Sequence, residues 1–128
     1  MTEIKINNED NGQVQIADDV IAIIAGTAAL ESKGVVSTGS YKSSDLVGMI
    51  GKRSFSRGVK VAVDEEVSLE VTLNVRFGYK VHEIAEEVQK RVKNAVETMT
   101  GLTVADVDII VASVVFEKEK HMDIEKLK

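Results

Sequence analysis

The chain has 128 residues, 44% of them hydrophobic but only 4% aromatic, and a formal net charge of -5. That length fits one domain with a real core, and the core has to be aliphatic. No cysteine is present, which excludes a disulfide framework, a thiolate nucleophile and a thiolate zinc site; the few aromatic side chains weigh against recognition of stacked bases.

The N-terminus is polar and lacks the apolar stretch of a signal peptide, so residues 1–11 read as a flexible segment. Val14 and Ile16 then alternate with Gln13 and Gln15 as a short strand, and Asp18 or Asp19 caps a helix carrying Val20, Ile21, Ile23, Ile24, Ala28 and Leu30. Gly34 stops that helix. Gly26, inside it, costs about 1 kcal/mol relative to alanine, which predicts close packing of another backbone. A second strand over 35–40 leads into a glycine-punctuated basic segment, and a third strand places Val59, Val61 and Val63 on one face.

The fourth strand is the clearest element. Leu69, Val71, Leu73, Val75 and Phe77 point one way and Ser68, Glu70, Thr72, Asn74 and Arg76 the other, which predicts one face on a core and one face open. From Val81 the period changes: Ile84, Ala85, Val88, Val92, Ala95, Val96 and Met99 complete one helical stripe, ended by Thr100-Gly101. A last strand through Val104, Val107, Ile109, Val111, Val114 and Phe116 is apolar on both sides near its middle, which predicts a place inside the sheet. Residues 118–128 form a charged tail.

The order strand, helix, strand, basic loop, strand, strand, helix, strand predicts an α+β two-layer sandwich: a mixed or antiparallel sheet with two helices on one face. One domain covers residues 12–117. No apolar run reaches the roughly 18 to 20 residues of a membrane-spanning helix, so no direct membrane insertion is expected.

The basic segment invites two functional readings. Gly51-Lys52 fits a phosphate-binding loop, but Leu46 stands where its first glycine belongs and Arg53 where its hydroxyl belongs. Gly48-Met49-Ile50-Gly51 has the spacing of the G-x-x-G loop of KH-type RNA-binding modules, which joins two helices, whereas the residues after Arg57 are strand-like. Residues 42–60 carry five basic side chains and one acidic one, net +4, which leaves the rest of the chain at -9. Such a body repels nucleic-acid phosphate, and a local basic patch with Lys52, Arg53, Arg57 and Lys60 suits an acidic protein surface better.

The catalytic inventory is thin. His82 and His121 lie on elements with no reason to converge, and the carboxylates Asp18-Asp19, Asp64-Glu65-Glu66, Glu86-Glu87, Asp106 and Asp108 are explained as a cap, a turn and solvated faces. No enzyme activity, cofactor or metal site is expected. The open face bearing Glu70, Thr72, Asn74 and Arg76 is the candidate surface for self-association or partner binding, with pairing of an unprotected edge strand as the other route.

The stretches GQVQIADDVI, Gly51-Lys52 through Arg57-Gly58-Val59-Lys60-Val61, LEVTLNVRFG, VHEIAEEVQKRVKNAVETMTGL and VADVDIIVASVVF resemble, in order, the alkaline-shock protein family of Gram-positive bacteria. The resemblance implies a non-enzymatic cytoplasmic protein linked to cell-envelope stress. It also implies self-association and recruitment to the inner face of the membrane by a small membrane-anchored partner. The short flanks resemble a compact branch of the family, often encoded beside a dihydroxyacetone-kinase-like fatty-acid kinase, which implies an accessory or regulatory partner of such a kinase as the alternative.

Overall fold

The structure is a computed structural model that describes residues 3–8, 12–39 and 57–116. Strands β1 (Glu3–Asn8) and β2 (Gly12–Ala17) form an antiparallel hairpin. Helix α1 (Asp18–Leu30) follows, then β3 (Val35–Thr38), β4 (Val59–Val63), β5 (Val67–Arg76), helix α2 (Val81–Thr100) and β6 (Val104–Val115). Two helices on one face of a sheet make the expected α+β sandwich.

Three elements differ from the sequence reading. The polar N-terminus does not stay a flexible segment over Glu3–Asn8, because the hairpin partner lies immediately downstream and sets Ile4 opposite Ile16 and Ile6 opposite Val14 in register. At the start of α1 the cap position is Ala17, with no side-chain cap, and Asp18 and Asp19 occupy the first turn, where they complement the helix dipole. The third difference is β6, which among the described residues pairs with β5 alone and so lies at an edge, not inside the sheet.

The main sheet is mixed. β3 and β4 both run antiparallel to β5, and β6 runs parallel to it. β3 faces Leu73 to Val75 and β4 faces Val67 to Val71, so the two short strands lie end to end along one side of β5. They meet at Thr72, whose carbonyl accepts from the Gly39 amide at 2.9 Å and whose own amide donates to the Gly58 carbonyl at 2.9 Å. One strand lane is thus interrupted between Gly39 and Gly58, where the chain departs and returns.

The inner face of β5, made of Val67, Leu69, Val71, Leu73 and Val75, is buried. Ile21, Ala25, Ala28 and Ala29 of α1 cover it with Ile84, Val88, Val92 and Val96 of α2. This is the aliphatic core that composition requires. Gly26 is buried, as its packing role predicts, and Gly101 closes α2 in the left-handed conformation at φ 78°.

Helix and sheet differ in reach. The 20 residues of α2 span about 30 Å, while the 12 of β6 span about 40 Å. The far end of the sheet therefore overhangs the helix. Phe77, expected in the core, is 61% exposed there and stacks on Phe116 with ring centroids 4.5 Å apart. Val81 and Met99, at the two ends of the α2 stripe, are exposed as well.

The Thr72 junction leaves no room for a side chain at Gly58. This residue has φ +79°, and a Cβ on it would fall on the Gly39 backbone, 2.6 Å from Cα. The Gly58→Ala variant is expected to lose about 3 kcal/mol, the left-handed penalty plus overpacking. Urea unfolding measures this, and a loss below about 1 kcal/mol would show that the two chain ends separate without cost.

Candidate interaction surface

The outer face of the sheet carries no helix among the described residues. It is built from alternate positions of three lanes, and cross-strand register decides which side chains meet. Lys60 of β4 stands opposite Glu70 of β5, with Nζ 3.6 Å from Oε1. On the other side of Glu70 stands Asp108 of β6, and Asp106 stands opposite Ser68. Like charges directly opposite are unfavourable, so Lys60 offsets part of the Glu70–Asp108 repulsion. A shallow depression of about 260 Å³ lies among Lys60, Ala62, Ser68, Glu70, Asp106 and Asp108.

The opposite half of this face is closed by a polar network. Asn74 is 0% exposed. Its Nδ2 donates to Ser37 Oγ at 3.0 Å and to the Gly39 carbonyl at 2.7 Å, and its Oδ1 accepts from Ser113 Oγ at 2.7 Å. A buried amide with partners on both neighbouring lanes ties β3, β5 and β6 together. Asn74 is therefore not available to a partner, contrary to its expected place on an open face.

The remaining expected residues fall differently. Glu70 and Thr72 are half-buried on the outer face, and Lys60 projects into solvent. Arg57 is half-buried beside Gly39, and Arg76 is half-buried at the end of β5. Lys52, Arg53 and the Gly48–Gly51 spacing lie outside the described residues, as does the charged tail. The structure adds Asp106, Asp108 and Ile110 to the outer face. Asp106 and Asp108 stand two apart in β6, a spacing that puts them on one strand face, but Ser37 and Ser113 have no such signal in the sequence.

The outer edge of β6 is partly protected. Gln89 of α2 donates to the Val107 carbonyl and the Val104 amide donates to the Glu97 carboxylate, each at 2.9 Å. Two register shifts leave Ala105 and Ala112 as extra residues, which bend the edge. Bulges and nearby charges discourage the edge pairing that an unprotected strand would invite.

Residues 6–116 match the model of the alkaline-shock protein family, whose description reads "cell envelope-related function". The chain belongs to this family. The alkaline-shock resemblance is thereby borne out, and with it an envelope-related function. The chain is similar to YloU of Bacillus subtilis (strain 168), 37% identical over 106 residues that cover 80% of this chain and 88% of that protein. YqhY of the same organism is 32% identical over 89% of this chain and 87% of its own length. Spy1614 of Streptococcus pyogenes serotype M6 is also 32% identical, over 87% of this chain and 93% of its own. Among solved structures, "MamM-CTD 215-293" aligns over 76% of this chain and 99% of its own at 13% identity, with a TM-score of 0.46. No helix among the described residues is long and apolar enough to cross a membrane.

The two halves of the outer face differ in what substitution does. Asn74→Ala is expected to cost about 2–4 kcal/mol, because three hydrogen bonds disappear and their buried partners are left unpaired. Glu70→Ala is expected to stay within about 0.5 kcal/mol, since its ion pair is solvent-screened. Chemical denaturation of both variants separates the structural half from the accessible half; equal losses would contradict that division.

Proposed function

We propose that this protein is a non-catalytic interaction module of the cell envelope, self-associating and held at the inner face of the membrane through a small membrane-anchored partner. What supports this most is the setting of the basic segment. It leaves and rejoins the sheet at Gly39 and Gly58, where Thr72 holds both chain ends. With both chain ends held in this way, the residues between them can vary in sequence without disturbing the core.

Charge favours a protein partner over nucleic acid. Beyond residues 42–60 the chain carries -9, of which Glu70, Asp106 and Asp108 form a local group on the outer face. Phosphate would be repelled by that body, while a partner that meets only the basic segment would be drawn to it. The segment is also flanked by strands β3 and β4, unlike the helix-flanked G-x-x-G loop of KH modules.

Affinity capture from a Gram-positive lysate, with and without detergent and after ribonuclease, is the test. A specific membrane protein should be recovered, and capture should fall for Lys52→Glu with Arg53→Glu while the thermal midpoint stays within about 4 °C. Capture that vanishes with ribonuclease would point to RNA instead. Strong co-pelleting of the purified chain with anionic vesicles at physiological salt would overturn the partner-mediated route.

A further inference from the structure

The most exposed apolar side chains among the described residues, Phe77, Phe116 and Met99, lie in two places. Phe77 and Phe116, 61% and 60% exposed, stack as a blunt aromatic projection where the sheet overhangs α2. Ile23 and Met99, 44% and 69% exposed, flank a groove of about 270 Å³ between α1 and α2, with Ile24 and Ala95 in its walls. One feature protrudes and the other is concave.

We propose that the aromatic projection of one copy seats in the α1–α2 groove of the next, a head-to-tail contact that builds assemblies larger than a dimer. The proposal rests on the self-association in the function proposed above and names the two surfaces that carry it. The groove exceeds the roughly 150 Å³ of apolar space that takes up a benzene-sized guest, so one phenyl ring fits. Its walls are mainly aliphatic, and the Met99 thioether among them favours an aromatic edge. A rigid aromatic anchor in an apolar pocket is the usual centre of a protein contact.

The two surfaces cannot meet within one copy. Ala95 and Met99 lie at least fourteen residues along α2 from Val81, about 20 Å or more, and the projection lies beyond Val81. Because they are also different surfaces, a contact made in one direction leaves a free projection and a free groove at the two ends and can propagate, whereas a reciprocal two-fold pair would stop at the dimer. Electrostatics select the same partner. A chain of net charge -5 approaches its own copy best where charge is sparse: α1 has no charged residue from Val20 to Leu30, and among the described residues Glu31 is the one charged side chain lining the groove. The β6 edge, the other route to a second copy, is partly closed by Gln89 and Glu97.

The test uses the full chain in sedimentation velocity. A projection variant, Phe77→Ser with Phe116→Ser, and a groove variant, Ile23→Gln with Met99→Glu, are each expected to weaken association by about 30-fold or more, the loss of a hot-spot contact. Mixed one to one, they should form a heterodimer of parental affinity that grows no further, because each copy keeps one intact surface. Thermal midpoints near the parent's confirm folding; where a double variant unfolds, Phe116→Ser and Met99→Glu alone take its place. Parental assembly by either variant, or no heterodimer in the mixture, overturns the head-to-tail contact while leaving self-association standing. A parent that stays monomeric to high micromolar concentration overturns both.

Discussion

The peptide groups of Thr72 hold the ends of β3 and β4 against the same side of β5, and the sheet depends on that pair of hydrogen bonds. A strand's amide and carbonyl at one residue point to the same antiparallel neighbour, so a single position can accept from Gly39 and donate to Gly58. The two contacts bring the Gly39 and Gly58 backbones closer than a side chain on Gly58 permits. Glycine answers that requirement at the point where the described chain leaves and re-enters the sheet. Two residues further along β5, Asn74 repeats the logic with side-chain chemistry, joining Ser37, Gly39 and Ser113 across three lanes.

The two faces of the sheet are then stabilised by different physics. Inside, β-branched and leucine side chains of β5 pack on alanines of α1 and valines of α2, and apolar burial drives the assembly. Outside, the face divides between a buried amide network and a solvated group of charges. The network carries stability because leaving its members unpaired is costly, whereas the solvated charges contribute little to folding. Residues that contribute little to folding are those a partner can use.

Geometry also explains the exposed apolar surface. A strand advances more than twice as far per residue as a helix, so the sheet outruns α2, and Phe77, just after β5, meets Phe116, just after β6, past the covered region. α1, uncharged from Val20 to Leu30, has more apolar surface than one sheet face can bury. The remainder lines the groove with Ala95 and Met99. Both features arise from packing a short aliphatic helix and a long strand in one small domain, and both lie apart from the acidic outer face.

By itself the sequence determined the elements other than β1 and, Phe77 aside, the inner faces of β5 and α2. The alternation from Leu69 to Val75 and the stripe Ile84, Val88, Val92 and Val96 are local periodicities, and burial follows them directly. It also determined the family, since ordered segments survive without any contact map. Only the tertiary structure decided that Asn74 is buried, that β6 is an edge and that Phe77 is exposed. Each depends on what lies across a strand or beyond a helix end, which is a property of register and relative length. The bulges at Ala105 and Ala112 shift that register, and alanine has no local signature for a bulge. The junction of Gly39 with Gly58 is of the same kind: nineteen positions apart along the chain, they meet because two short strands lie end to end on one side of β5, where Thr72 has a single amide and carbonyl to offer them both.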